Sequence, residues 1–277
     1  MRKLLACWFL AGLGAALFAA APPIGTLQFG QLPPAVQKAV QMQAANGKVG
    51  EITRDDDNGS VNYVVEITKG AQTRDYTFDE AGGLVGLEMA LRELPLEVQK
   101  TIQTQAAQGT IESVEKSIDG AAVSYDVDWK SKDGKDHSFS VLENGKLNSV
   151  DLSLDETPPT VKGTIGHQLG TDQLISISKT MEDDGVYYDV TFVSNGVERD
   201  FSVAENGQMD SRQVLMEELP PSVQTTIDRT VGQGKVVRID QIYEKRKGGP
   251  PFEIESVVNG KPYFFLVGQK GAFLGTD

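Results

Sequence analysis

LPPAVQKAV, residues 32–40, returns as LPLEVQKTI at 94–102, as TPPTVKGTI at 157–165 and as LPPSVQTTI at 219–227. Successive copies are 62, 63 and 62 residues apart. A fixed period of this length marks a repeated structural unit. Two further landmarks keep the same period. One is an aromatic-led segment: Tyr63-Val64-Val65, Tyr125-Asp126-Val127, Tyr188-Asp189-Val190 and Phe252-Glu253-Ile254. The other is a glycine turn, in DEAGGL from Asp79, ENGKL from Glu143, ENGQM from Glu205 and QKGAF from Gln269.

Each copy reads as one helix followed by strands. Pro33, Pro95, Pro158 and Pro220 suit a first helical turn, where the missing N–H is not needed. Val36 and Val40, Val98 and Ile102, Val161 and Ile165, and Val223 and Ile227 are four apart, which draws one apolar stripe along each helix. A helix of roughly 13 residues does not persist alone in water, so each needs a sheet to cover. The strands alternate. Tyr63, Val65 and Ile67 point one way with Glu66 between them; Tyr125, Val127 and Trp129 enclose Asp126 and Asp128; Tyr188, Val190 and Phe192 enclose Asp189. A period of two means one buried and one wet sheet face. Asp57-Asn58-Gly59, Asp119-Gly120, Asp133-Gly134, Asp184-Gly185 and Asn195-Gly196 are the residues of tight hairpins.

The fold class expected is α+β, four tandem repeats, each one helix packed on a four-stranded antiparallel sheet. The boundaries are a signal peptide at 1–21, a linker at 22–31, and repeats at 32–91, 94–154, 157–216 and 219–277. Gly163 and Gly166 weaken the third helix by about 1 kcal/mol each relative to Ala. The fourth repeat ends so early that its last strand must be short.

Arg2 and Lys3 precede an uncharged apolar run from Leu4 to Ala21, the plan of a secretory leader. Pro22 is a poor residue after a cut, so an uncleaved anchor is the alternative. With the leader removed the chain has no Cys, because Cys7 lies inside it, and it folds without a disulfide. The formal charge of the 277-residue chain is -13, from 26 Lys+Arg against 39 Asp+Glu. Such a balance repels nucleic-acid phosphate and anionic lipid, which excludes nucleic acid as a general partner and, after leader cleavage, a membrane surface.

The helix opening, the tyrosine-led strand and the Asn-Gly or Gly-Gly turn resemble the PepSY domain, and within it the β-lactamase-inhibitor-like branch. The resemblance runs through all four copies. It implies a secreted or periplasmic, non-enzymatic chain that binds protein, as a peptidase inhibitor or in a chaperone-like role.

The residues themselves suggest no chemistry. Asp55-Asp56-Asp57-Asn58-Gly59 resembles a calcium loop only in part: its glycine falls at the fifth place, and the twelfth is Glu66, in a strand. Glu182-Asp183-Asp184-Gly185 is likewise a solvated turn. His137 and His167 belong to different repeats and have no Cys partner, so neither zinc nor any other metal is expected. No G-x-S-x-G nucleophile turn is present, and no catalytic residue or cofactor site is assigned. Partner contacts are expected at the basic loop Lys245-Arg246-Lys247 and at the outward strand positions Glu66, Asp126, Asp128 and Asp189. The function read from this is a secreted or periplasmic non-enzymatic protein-binding module, with an inhibitor of a peptidase or another envelope enzyme as its sharper form and its protein partner unidentified. The alternatives are an envelope scaffold and a hydrolase with an unrecognised site.

Overall fold

The computed structural model describes residues 26–57, 60–243 and 251–276. The signal peptide at 1–21, the first residues of the linker, Asn58-Gly59 and the basic loop Lys245-Arg246-Lys247 fall outside that range. The chain divides into two compact units, Met1–Val150 and Asp151–Asp277. Among the described residues there are four α-helices and sixteen antiparallel strands.

Unit 1 contains α1 (Pro34–Ala44) followed by β1 (Lys48–Asp57), β2 (Ser60–Lys69), β3 (Gln72–Asp79) and β4 (Leu84–Glu88). It continues with α2 (Leu96–Gln105), β5 (Gly109–Asp119), β6 (Ala122–Ser131), β7 (Asp136–Leu142) and β8 (Leu147–Asp151). Each strand from β1 to β8 pairs antiparallel with the next. Unit 2 contains α3 (Pro159–Leu169), β9 (Gln173–Met181), β10 (Val186–Ser194), β11 (Val197–Ala204) and β12 (Met209–Gln213). It closes with α4 (Pro221–Val231), β13 (Lys235–Ile242), β14 (Phe252–Val258), β15 (Lys261–Val267) and the four-residue β16 (Phe273–Thr276). Its strands also pair in chain order.

The helices cover one face of each sheet. Val36 and Val40 of α1, Val98 and Ile102 of α2, Val161 and Ile165 of α3, and Val223 and Ile227 of α4 are fully buried. Tyr63, Tyr125, Tyr188 and Phe252 lie beneath them, 2–6% exposed, so the aromatic-led strands face the helices. At ~25 cal/mol per Å² of apolar surface removed from water, this face supplies most of the favourable energy of each core.

The helices are shorter than their periodicity suggests, 10 or 11 residues, because each proline acts one place earlier than expected. Pro33, Pro95, Pro158 and Pro220 occupy the N-cap, with extended ψ near 145°, instead of the first turn. A short 3-10 turn precedes each helix: Phe29–Gln31, Leu91–Glu93, Leu154–Glu156 and Met216–Glu218. Its last residue folds back to accept the N–H three residues upstream. Gln31 takes Gln28, Glu93 takes Ala90, Glu156 takes Ser153 and Glu218 takes Leu215. The segment expected as a linker is docked from residue 26 onward: Leu27 donates to the carbonyl of Ile52, and Leu27 and Phe29 pack on the first core.

The glycine turns are explained by a close approach to the helix. At Gly82, with φ +81°, an added Cβ would stand 2.7 Å from the carbonyl oxygen of Ala35. At Gly145, with φ +82°, it would stand 2.7 Å from Cβ of Glu97. A positive φ and no room for a side chain both demand glycine. Three helices clamp the turn with a threonine: Thr101 donates to Gly145 O, Thr164 to Gly207 O and Thr226 to Gly271 O, each at 2.6 Å.

Candidate interaction surface

The face away from the helices is polar, and the strand register puts its residues in rows. Glu66 of β2 pairs with Asp75 of β3. Asp75 neighbours Glu88 of β4, whose carboxylate accepts the Asp75 N–H at 3.3 Å. Glu88 pairs with Glu115 of β5, and Glu115 with Asp126 of β6. Five successive strands thus carry a carboxylate in one row. Asp128, two residues beyond Asp126 on the same face, accepts from Ser113 at 2.8 Å. Directly opposed like charges on neighbouring strands destabilise a sheet, so the row is held against its own repulsion.

Its carboxyls register that. Burial, then the charges of Glu88, Glu66 and Glu51, push Asp75 above the ordinary carboxylate range. Burial also raises Glu115, with Asp126, Asp75 and Asp128 adding to it and one bond from Thr77 opposing it. Small hydroxyls fill the spaces between: Thr77, Ser140 and Ser149 are 3–6% exposed. Ser140 stands opposite Asp126, and its Oγ has no hydrogen-bond partner among the described residues.

Unit 2 solves the same geometry differently. Asp200 of β11 takes the place of Asp75, Gln213 of β12 that of Glu88, Asp240 of β13 that of Glu115, and Glu253 of β14 that of Asp126. At the place of Ser113, just past the equivalent bulge, unit 2 has Arg238. Its guanidinium donates to both oxygens of Asp200, with Nη1 at 2.7 Å, and to both oxygens of Asp240, at 2.6 and 2.8 Å. Burial pulls the Arg238 pKa down, and the two aspartates outweigh it and hold it above its usual value. Asp240 is itself raised, because burial outweighs the attraction of Arg238. Asp189 is raised by burial although Thr180 and Ser202 donate to it, and Ser178 opposite it carries an unpartnered Oγ.

The expected outward acids are therefore on the expected face, but they are not freely solvated. Glu66, Asp126, Asp128 and Asp189 are all half-buried. The reason is crowding: small hydroxyl neighbours and a neighbouring strand on each side leave little room for water around each carboxylate. Asp126, for instance, receives a short bond from Ser117. The structure joins Glu66, Asp126 and Asp128 into one surface; Asp189 belongs to unit 2. Asp75, Glu115 and Arg238 were not evident from sequence, because only the register across β4 and β12 aligns them with their partners.

The histidines lie elsewhere. His137 stacks on Trp129 with centroids 4.8 Å apart and shares a hydrogen bond with Ser131 at 3.1 Å, while His167 is exposed on α3. Among the described residues no group of three or more His, Cys, Asp or Glu is placed to hold a metal ion. Glu182-Asp183-Asp184 is exposed, and Asn58-Gly59 of the other acidic turn lies outside the described residues. Two shallow open depressions lie among the described residues, one of about 270 Å³ beside Arg74 and Glu88 and one of about 450 Å³ beside Gln233 and Asn259. Among the described residues no helix is long and apolar enough to cross a membrane.

Residues 25–86 match the family model described as beta-lactamase-inhibitor-like, PepSY-like. No curated protein matches the chain. Among solved structures, the chain is similar to a DUF2874 family protein from Bacteroides ovatus, at 19% identity and a TM-score of 0.34, over 44% of this chain and 88% of the other. It is similar to a BLIP-like protein from Bacteroides fragilis at 15% identity and a TM-score of 0.32, over 43% and 84%. A third, a protein from Bacteroides eggerthii assigned to the periplasm, shares 20% identity at a TM-score of 0.33, over 44% and 88%.

Proposed function

We propose that the chain is an exported, non-enzymatic protein-binding module of four PepSY-like copies, acting in the periplasm or outside the cell. It grips a protein partner with the sheet faces that its helices leave uncovered, and an envelope enzyme such as a peptidase is the partner class that fits an inhibitor-like role. The family match over residues 25–86 supports this reading for the first copy. Its extension to the others rests on the recurring order of helix and four strands and on the recurring helix-to-glycine clamp.

The observation that carries the reading is the half-buried polar face. Carboxylates partly withdrawn from water and crowded by like charge gain from a partner that brings positive charge and hydrogen-bond donors to them. The proposed contacts are Glu66, Asp126 and Asp128 in unit 1 and, in unit 2, Asp189 with Phe264, which is 39% exposed and pairs with Glu255. Lys245, Arg246 and Lys247 are proposed as a separate basic contact on sequence grounds alone. The test is affinity capture from an envelope extract with wild-type protein and with Glu66→Lys/Asp128→Lys. A partner retained by wild type and lost by the variant supports the reading; equal capture by both refutes it.

A further inference from the structure

The two units hold the same five-strand arrangement with one difference that matters for recognition. In unit 2 the carboxylates of Asp200 and Asp240 close on one guanidinium from their own sheet. In unit 1 the matching carboxylates are Asp75 and Glu115, on either side of Glu88 in the row; Glu115 reaches across β4 to accept from Thr77 of β3 at 3.2 Å, and the residue at the place of Arg238 is Ser113. Ser113 donates to Asp128 at 2.8 Å. The charges that raise Asp75 are those of Glu88, Glu66 and Glu51, and those that raise Glu115 are Asp126, Asp75 and Asp128; among the described residues no basic side chain joins them. A second feature lies beside the row: Ser140, 5% exposed and across from Asp126 on the same face, holds a buried oxygen with no hydrogen-bond partner among the described residues.

We propose that this row is the docking site for an extended, arginine-bearing segment of a partner protein, with one guanidinium seated between Asp75 and Glu115 as Arg238 is seated between Asp200 and Asp240. The inference rests on the protein-binding reading above and names the chemistry of the partner. The preference for arginine follows from geometry. A planar fork with five donors can serve two carboxylates at once, as Arg238 does, whereas an ammonium is a compact, strongly hydrated point charge. The dimensions suit a short segment. Strands lie about 4.8 Å apart, so the row from Glu66 to Asp126 spans about 19 Å, the reach of roughly six extended residues. Alternate side chains of such a segment face the sheet, which places one basic group near Asp75 and Glu115 and a second near Asp126 and Ser140.

The test uses the exported protein and two blocked hexapeptides, Arg-Ser-Arg-Ser-Arg-Ser and its lysine counterpart, titrated calorimetrically at low salt. Ser113→Arg supplies from within the guanidinium that unit 2 already has, and it should weaken the arginine peptide at least tenfold. Gln103→Arg adds the same charge on the exposed side of α2, on the helix side of the sheet, and should change binding less than twofold. If Ser113→Arg does not fold, Asp75→Asn/Glu115→Gln tests the same contact and should also lose at least tenfold. The arginine peptide should bind several-fold more tightly than the lysine one. Equal loss with Ser113→Arg and Gln103→Arg, undiminished binding in the variants, or equal affinity for both peptides would overturn the assignment. Loss of the captured envelope partner on Glu66→Lys/Asp128→Lys, with no effect of Ser113→Arg, would remove the arginine seat and leave the protein-binding reading standing.

Discussion

Glu218→Ala should destabilise unit 2 by more than its own exposure suggests, because it strands a buried cation. Arg199 of β11 is 6% exposed and donates Nη1 to Glu218 Oε1 at 2.9 Å, Nη2 to Glu218 Oε2 at 2.7 Å, and Nη2 to the carbonyl of Gln213 at 2.8 Å. Its Nε has no hydrogen-bond partner among the described residues. Removing Glu218 takes two of these three bonds and leaves a guanidinium nearly without water. Breaking a wholly buried pair costs about 3–5 kcal/mol. The Glu218 side chain is 42% exposed, so water enters the space it leaves, and a figure of about 2 kcal/mol is expected. Arg199→Met leaves only a partly solvated carboxylate and should cost about 1 kcal/mol. In the double variant the penalty of the stranded charge disappears, so the two effects should fall short of additivity by at least about 1 kcal/mol. Urea unfolding followed by circular dichroism measures the cycle. Additive changes, or a Glu218→Ala change under about 0.5 kcal/mol, would show that the pair does not hold the turn before α4.

Three further outcomes follow from the geometry. Gly145→Ala should cost at least about 2 kcal/mol, since it imposes a positive φ on a side chain that also meets Glu97, whereas Gly134→Ala has the same φ strain in open space and should cost less; thermal melts of the two compare them directly. Tyr125→Ala should cost about 3–5 kcal/mol, and Asp126→Ala should stay within about 1 kcal/mol, because the first empties the core and the second relieves like charge as it loses its bond to Ser117; equal urea midpoints would mean that the strand faces are reversed. Melting temperature should rise between pH 7 and pH 5. Asp75, Glu115, Asp189, Asp240 and Glu255 have folded pKa values pushed above their unfolded ones by burial, so the native state binds protons more readily and gains stability as pH falls through those raised values. Glu218 acts the other way: burial pushes it up, but the bonds from Arg199 and the Leu215 N–H and the charges of Arg199 and Arg212 together outweigh that and hold it low, so its stabilisation is lost only as pH falls through that lowered value. Glu115→Gln should therefore raise the melting temperature at pH 7 and not at pH 4; a gain of equal size at both would refute the charge argument.

Much of the fold is legible in the sequence because it is local. Val36 and Val40 at helical spacing, Tyr125 and Val127 at strand spacing, and Gly145 in its turn each carry their structural role within a few residues. Gln31, Glu93, Glu156 and Glu218, before each Leu-Pro or Thr-Pro, are a different case: the part each plays as a cap on a 3-10 turn depends on an N–H three residues upstream, which the sequence pattern alone does not mark. The proline that follows each therefore sits outside the helix it introduces. The surface was less legible. Glu66, Asp126, Asp128 and Asp189 could be placed on the outer face by alternation, but their burial depends on residues one strand away. Arg238 and Asp200 are 38 positions apart and meet only because β12 lies between their strands. The contrast between Arg238 and Ser113 is a consequence of register, and no property of either residue announces it.

The central claim is that the uncovered sheet face meets the partner. Photo-crosslinking in cells tests it most directly, with a benzophenone amino acid placed in turn at Glu66 and Asp128 on the uncovered face of unit 1, at Glu255 on that of unit 2, and at Gln41 and Gln103 on the helices. The account predicts a partner adduct of one discrete mass from the sheet positions and none from the helix positions. Adducts from Gln41 and Gln103 with none from Glu66, Asp128 or Glu255 would contradict it.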